Sequence, residues 1–424
     1  MKRKTDSPSS GTAGEKSRRL RISDFLRIVP DREKMIGESS SEDPKPSGSY
    51  RANALAAVLH PGIQYLKVAE RRDLSDTVSM FTLVPDTERG TARLAPFGAG
   101  SCISVRIRKD GCTYRRPYSI CSSPGDALPS REGGRYTSGT YRIAVKREKS
   151  GTVSEHIHAE WKPGTPVEAS EPFGELLYEP LRDAKDVICI AGGIGITPFI
   201  SMIKAITEGT EDFRLTLLYG IRTENDILFR NELEAASADG RIKTVFVLSD
   251  SDTPGFEHGL VGAGIIKKYA PADGRNYSVF ACGPRAMYGH LEKELKSLGI
   301  RRKFMRFEVS GEMHDPDAEE DYTAPDSDGF TIKVVSGGQT RSIRCGSKET
   351  LLHAMERSGI DAPSRCRSGE CGFCHSRLIS GEYYTPSRND RRREADRKYG
   401  YLHPCCTFPL SDMEIDVPPP GGRC

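Results

Sequence analysis

The sequence predicts a multidomain chain: an antiparallel β-barrel, then an α/β domain on a parallel sheet, then a small α+β domain. Three observations carry this. From Tyr65 to about Glu179, short alternating runs are separated by turn residues, as in Ser79–Leu83, Cys102–Ile107, Tyr141–Val145 and Pro166–Ala169. Such runs make antiparallel strands with one face buried. From Asp186, apolar runs Val187–Ala191, Leu215–Tyr219, Thr244–Leu248 and Val279–Ala281 alternate with helical stretches Pro198–Ile206, Phe229–Ala236 and Arg285–Leu298. That alternation asks for parallel strands joined by crossover helices. Beyond Gly329, three cysteines crowd into one loop and a fourth follows.

The 424 residues suffice for about three domains. The expected boundaries are 1–50, a disordered basic arm; 51–182, the barrel with an N-terminal helix; 183–311, the parallel-sheet domain; 312–328, an acidic linker; and 329–424, the cysteine-bearing domain. Residues 1–36 hold ten Lys and Arg against five Asp and Glu. Within the arm, Leu20–Ile28 has the pattern of a helix that forms on docking, and Ala52–His60 has helical character up to Pro61. Residues 312–328 hold eight acidic residues, two prolines and no Lys or Arg.

A net charge of +3 gives no reason to invoke nucleic acid. The apolar stretch Val187–Ile203 is broken by glycines and Pro198 and falls short of a membrane span. The N-terminus lacks the apolar core of a signal peptide. Twelve cysteines without a secretory segment point to a reducing, cytoplasmic setting.

The C-terminal cysteines carry the strongest signal. Four residues separate Cys366 from Cys371, two separate Cys371 from Cys374, and thirty more lead to Cys405. This is the spacing of a plant-type [2Fe–2S] cluster loop. A zinc site wants two close pairs or spaced histidines, and only Cys371/Cys374 forms such a pair. Spacing alone leaves Cys405 and its neighbour Cys406 both open as the fourth ligand.

Upstream, Arg116-Pro117-Tyr118-Ser119 ends a strand-like run and offers a cation, a flat ring and a hydroxyl. A flavin needs all three: charge at its phosphates, a ring on the isoalloxazine and a donor near N5. An exposed Arg beside a core Tyr is the plainer account. Gly151-Thr-Val153-Ser154 starts a helix with small residues, which presents N–H groups to a pyrophosphate. Gly192-Gly193-Ile-Gly195-Ile-Thr197-Pro198 follows a buried strand and opens a helix, a second pyrophosphate cradle. Cys282-Gly283-Pro284 closes a later strand, where ligands bind in open α/β sheets. Taken singly, each fits a packing turn; their order argues for more.

Together these motifs resemble the ferredoxin–NADP reductase superfamily. Arg116–Ser119 resembles its flavin signature, Gly151–Ser154 its FAD pyrophosphate motif, and Glu171-Pro-Phe-Gly174 the end of its barrel. Gly192–Pro198 and Cys282–Pro284 are similar to its nicotinamide motifs, and Tyr219–Arg230 to its nucleotide-ribose loop. Cys405-Cys-Thr-Phe-Pro-Leu-Ser-Asp412 is similar to the closing segment of plant-type ferredoxins, which makes Cys405 the ligand. The architecture resembles single-chain reductases of oxygenase and hybrid-cluster-protein systems. The resemblance implies a β-grasp ferredoxin domain, FAD rather than FMN, NADH or NADPH as cosubstrate, and a [2Fe–2S] cluster. It implies Ser119 and Cys282 at the hydride-transfer centre and Arg222 in the nucleotide loop. Electrons then pass singly to a protein acceptor such as an oxygenase, cytochrome, desaturase or hybrid-cluster protein.

Two other functions compete: an electron-carrying or redox-sensing subunit without turnover of its own, and a reductase of free flavin or ferric iron. In the loop Arg222-Thr-Glu224, the balance of charge with Asp226 favours NADH. Arg365 and Arg367 flank the first cluster ligand, and Arg377, Arg388, Arg391, Arg392, Arg393, Arg397 and Lys398 lie between the third and fourth. This run is either a solvated basic loop or a basic face for an acidic partner or for the acidic linker folded back.

Overall fold

The structure is a computed structural model, which describes residues 22–39, 50–132, 135–149, 151–272, 276–310, 316–387 and 389–419. The chain divides into two compact units, Met1–Leu55 and Ala56–Cys424. In the first, helix α1 (Ile22–Ser39) corrects the expectation of an arm without structure. It continues well past Ile28 because Asp31–Glu38 are mostly good helix formers, with Lys34 and Glu38 paired one turn apart at 3.9 Å. It also accommodates Pro30, which forfeits one backbone hydrogen bond. Helix α2 (Arg51–Leu59) has no buried residue.

The barrel strands are β1 (Gln64–Asp73), β2 (Val78–Pro85), β3 (Cys102–Lys109), β4 (Cys112–Ser119), β7 (Tyr141–Lys146) and β8 (Pro166–Ala169), with a short hairpin β5–β6 (Ser130–Glu132, Arg135–Thr137). The order β4-β3-β8-β1-β2-β7 is antiparallel throughout. A bridge from Ile120 to Ile143 brings the two edges together. Helix α3 (Thr152–Glu160) buries Val153 and Ile157 in the barrel core beside Phe81 and Trp161.

The second sheet comprises β9 (Asp186–Gly192), β10 (Arg214–Ile221), β11 (Ile242–Leu248), β12 (Glu257–His258), β13 (Ser278–Pro284) and β14 (Met305–Ser310). Its order, β12-β11-β10-β9-β13-β14, is parallel throughout. Strand order reverses between β9 and β13, the crevice where open α/β sheets bind ligands. Helices α4 (Thr197–Thr207), α5 (Arg230–Ala236), α6 (Ala263–Tyr269) and α7 (Arg285–Ser297) cover the faces. Helix α4 is nearly all buried, which explains why Val187–Ile203 reads as one apolar run. Barrel residues Val78, Ala99, Cys121 and Ala144 share a core with Phe199, Met202 and Phe213, so these two domains are joined by apolar packing.

The third sheet holds β15 (Gly329–Ser336), β16 (Gln339–Gly346), β17 (Ser376–Ser380), β19 (Tyr401–Leu402) and β21 (Met413–Asp416), in the order β16-β15-β21-β17-β19. Strands β18 (Tyr383–Tyr384) and β20 (Phe408–Pro409) pair separately. Helices α8 (Leu351–Arg357) and α9 (Glu394–Lys398) complete the domain. Its core, from Ile332 to Val417, is separate from the other two. The acidic segment before it is tied down: Glu319 pairs with Arg285 at 3.3 Å, Asp317 with Lys348, and Asp321 accepts from the Tyr384 hydroxyl at 2.5 Å. Among the described residues, no helix is long and apolar enough to cross a membrane.

Candidate functional site

The cysteine loop lies between α8 and β17. Cys374 and Cys405 are buried with their sulfurs 3.4 Å apart. Cys366 Sγ accepts backbone N–H groups from Ser368 at 3.5 Å and Cys371 at 3.4 Å. Hydrogen bonds from the Cys371 and Cys405 thiols hold the Cys366 thiol well below its ordinary pKa. Gly369 and Gly372 adopt φ of 86° and 67°. A Cβ on Gly369 would sit 2.4 Å from the Asn389 carbonyl oxygen and 2.8 Å from Cys406 Sγ, so the loop cannot close there around another residue. Cys406 Sγ points instead to the carbonyls of His403 at 3.5 Å and Asn389 at 3.9 Å.

Among the described residues, no three Cys, His, Asp or Glu surround a point that a single metal ion could occupy. A two-iron cluster makes a different demand. Four thiolates serve two irons, and Cys374/Cys405 and Cys366/Cys371 form two such pairs. The donor set fits.

Arg116–Ser119 end β4. Tyr118 is half-buried against the barrel core. Pro117 stands opposite Ser104, and Ser119 opposite Cys102. Arg116 Nη1 donates to the Glu356 carboxylate of α8 at 3.1 Å, so the cation expected at a phosphate also grips the cysteine-bearing domain. Gly151 caps α3, and a Cβ there would meet Ser154 Oγ at 2.5 Å and the Glu148 carbonyl oxygen at 2.9 Å. Ser154 Oγ accepts from the Glu148 N–H at 3.1 Å and closes this turn.

The two glycine motifs of the parallel sheet meet across the crevice. A Cβ on Gly195 would lie 2.2 Å from the Cys282 carbonyl oxygen, and one on Gly192 would strike Met287 and Pro284 at 2.9 Å. Gly193 has φ 52° and open space around its Cα. Thr197 Oγ1 donates to the Ile194 carbonyl at 3.1 Å, and Pro198 sits in the first turn of α4. Cys282 is buried beside Gly283 at the end of β13. At the far edge of the crevice, Arg222 is mostly exposed and pairs with Asp226 at 3.4 Å.

One residue that sequence reasoning missed lies where the three sheets converge. Glu308, on β14, accepts a hydrogen bond from Ser119 Oγ at 2.9 Å. Burial pushes its carboxyl up to about 7; the Ser119 bond pulls against this and Cys366 adds to it. Desolvation likewise raises the Cys102 thiol, with Glu308, Cys366 and Cys282 contributing by their charge. Ser119 and Cys366, predicted from two separate motifs, thus both act on this one carboxyl, and its charge adds to the burial that raises the Cys282 thiol. No local pattern marks Glu308 in the sequence.

Five of the nine cations around the cluster loop are held by acids. Arg392 is bound by Asp390 at 2.8 Å, the Tyr383 hydroxyl at 2.6 Å and the Tyr401 carbonyl at 2.9 Å. Arg397 also pairs with Asp390, and Arg393 with Asp396, each at 3.3–3.4 Å. Arg365 reaches Glu171 at 2.5 Å, and Arg367 is buried on Glu356 at 2.7 Å. Arg377, Arg391 and Lys398 form no ion pair among the described residues; Arg388 lies outside them.

Comparison with known proteins agrees with this layout. Residues 189–293 match the oxidoreductase NAD-binding domain family, and residues 334–410 the 2Fe-2S iron-sulfur cluster binding domain family. The chain is similar to the reductase component of glycine betaine monooxygenase from Chromohalobacter salexigens, at 28% identity over 76% of this chain and 87% of that one. It is also similar to the ferredoxin reductase component of 3-ketosteroid-9-alpha-monooxygenase from Rhodococcus rhodochrous, at 27% identity over 80% and 92%. Among solved structures, phthalate dioxygenase reductase, described as a modular structure for electron transfer from pyridine nucleotides to [2Fe–2S], superposes with a TM-score of 0.58. It is 25% identical and covers 84% of this chain and 98% of its own. An antiparallel barrel, an NAD-binding sheet and a cluster domain in this order place the chain in the ferredoxin–NADP reductase superfamily, as a single-chain member ending in a plant-type [2Fe–2S] ferredoxin domain.

Proposed function

We propose that this chain is the NAD(P)H-oxidising reductase component of an oxygenase-type system, delivering electrons to a separate protein acceptor. One observation carries the proposal. The Ser119–Glu308 hydrogen bond joins the last residue of the flavin motif to the nucleotide sheet, and the cluster ligand Cys366 acts on the same carboxyl. A hydride donor, a flavin and a cluster would therefore be served by one junction.

When bound, FAD would supply hydride acceptance from NAD(P)H and one-electron release toward the cluster. The residues contribute placement. Ser119 holds a hydroxyl at the reacting edge. Cys282, with Gly283 and Pro284, walls the crevice on the nicotinamide side. Gly193 leaves room for the nucleotide pyrophosphate at the start of α4, a turn that Gly192 and Gly195 let close against Met287, Pro284 and Cys282 and that Thr197 and Pro198 lead into the helix. Gly151, Val153 and Ser154 shape the start of α3 for the flavin pyrophosphate, which favours FAD over FMN. Arg116 and Tyr118 complete the flavin site; a guanidinium carries enough donors to hold a carboxylate and a phosphate together. Cys366, Cys371, Cys374 and Cys405 are the proposed cluster ligands.

The proposed domain limits are 51–182, 183–311 and 329–424, joined by the acidic segment 312–328. The described cysteines form no disulfide with one another, and the reducing cytoplasm is the proposed compartment.

Anaerobic addition of NADH or NADPH to the purified chain tests the function. Flavin and cluster absorption should both bleach, and a one-electron acceptor protein should then restore them. Bleaching of flavin with a permanently oxidised cluster would sink the proposed electron order.

A further inference from the structure

The barrel and nucleotide sheet share an apolar core, whereas the core of the ferredoxin domain is its own. Described contacts joining that domain to the rest are largely ionic. Arg115 Nη1 holds Asp361 and also donates to the Ala362 carbonyl at 3.2 Å. Arg365 holds Glu171, and Arg285 reaches Asn389 at 3.3 Å. The most buried link is Glu356. Its side chain is wholly inaccessible, and one carboxylate takes Arg367 from two nitrogens at 2.7 and 3.0 Å, Arg116 at 3.1 Å and the backbone N–H of Arg115 at 3.3 Å.

These partners belong to different machines. Arg367 follows the cluster ligand Cys366 and holds the loop with φ 60°. Arg115 and Arg116 sit on β4, four and three positions before Ser119. We infer that Glu356 is a positioning residue: a buried carboxylate gripped from both sides registers the cluster loop against the flavin strand, so electrons cross through a docked domain, not a swinging one. The inference rests on the proposed function. A buried, hydrogen-bonded pair is hardly screened by salt, and removing one partner leaves the other charge stranded, which makes the link stringent.

The test uses the full chain loaded with flavin and cluster. In anaerobic stopped flow with NADH, Glu356→Gln should leave the flavin-bleaching phase unchanged and slow the cluster-bleaching phase about ten- to a hundredfold, the scale on which an ångström of misplacement acts. Glu356→Asp should recover part of the rate. Asp361→Asn, which leaves the cluster loop untouched, should slow the same phase by less. Hydrogen exchange gives a readout independent of turnover: the Arg115 amide should lose protection in Glu356→Gln. The resonance spectrum of the dithionite-reduced cluster should be unchanged in every variant. Wild-type cluster-bleaching rates in both Glu356→Gln and Asp361→Asn would overturn the inference. If Glu356→Gln fails to hold its cluster, the rate in Asp361→Asn decides alone. A wild-type chain whose flavin no pyridine nucleotide bleaches would instead overturn the proposed function.

Discussion

The Ser119 hydroxyl donates to Glu308 across 189 positions of sequence, and that one bond closes the flavin strand onto the nucleotide sheet. With the carboxyl near pH 7, the direction of the bond depends on pH. An ionised Glu308 accepts the hydrogen bond from Ser119. A protonated one donates to Ser119 and frees the hydroxyl proton for another acceptor. Flavin reduction should therefore be faster below about pH 7 and fall as pH rises through it. In Glu308→Gln this break should vanish, and in Ser119→Ala the rate should drop about tenfold or more at every pH. A profile with the same break in Glu308→Gln would assign it to another group.

Replacement of Cys371 by Ser should abolish the cluster bands and cytochrome reduction while flavin reduction by NADH continues. Parallel optical and turnover measurements check this. Equal loss of both activities would mean that the cluster does not lie downstream of the flavin.

Cys405 and Cys406 should separate cleanly. Cys405 Sγ lies against Cys374, and Cys406 faces two carbonyl oxygens. Iron content should survive Cys406→Ser and collapse in Cys405→Ser; the reverse would exchange their roles.

Nucleotide preference should follow the carboxylates at the edge of the crevice. Asp226 occupies Arg222, and Asp250 stands exposed just past β11, its backbone N–H bonded to the Arg222 carbonyl at 2.9 Å. A 2′-phosphate at this edge would meet unbalanced negative charge, so NADH should give the higher kcat/KM. Asp250→Arg should raise kcat/KM for NADPH about tenfold, the worth of one charge-assisted bond. A wild-type preference for NADPH would refute the assignment.

The acceptor should sense the cations that form no ion pair. Charge reversal at Arg377 and Arg391 should slow acceptor reduction at low salt and leave flavin reduction alone, with the difference fading as salt rises. Reversal at Arg392 should instead loosen the ferredoxin domain, because that guanidinium is buried among Asp390, Tyr383 and Tyr401. Thermal melts would show the contrast. Acceptor turnover indifferent to Arg377 and Arg391 would leave that surface no docking role.

What was legible in the sequence was local. Cys366, Cys371 and Cys374 stand out because their spacing is that of a short loop wrapping a cluster. The glycines after Ala191 do so because a strand must turn tightly into a helix. Glu308 was illegible: a single acid on a strand acquires meaning only when the sheet edge carries it to Ser119. Arg116 points to one partner by its motif and has a second, which no spacing connects to Glu356. The pairing within the basic run was overlooked for the opposite reason. Asp390 stands two residues before Arg392, and Asp396 three after Arg393, so the neutralising partners lie in plain view, close along the chain to the cations they hold.

The pinned acidic segment has a kinetic consequence. With Glu319 on Arg285 and Asp317 on Lys348, residues 316–328 are held to both the nucleotide and the ferredoxin domains, which keeps the docked domain at the barrel. The effective concentration of one module at the other is then set by the tether and not by how much enzyme is present. Internal electron passage should be first order, identical in dilute and concentrated solution. A chain cut within 316–328 would turn the same step into a collision between two proteins, and dilution alone would slow it.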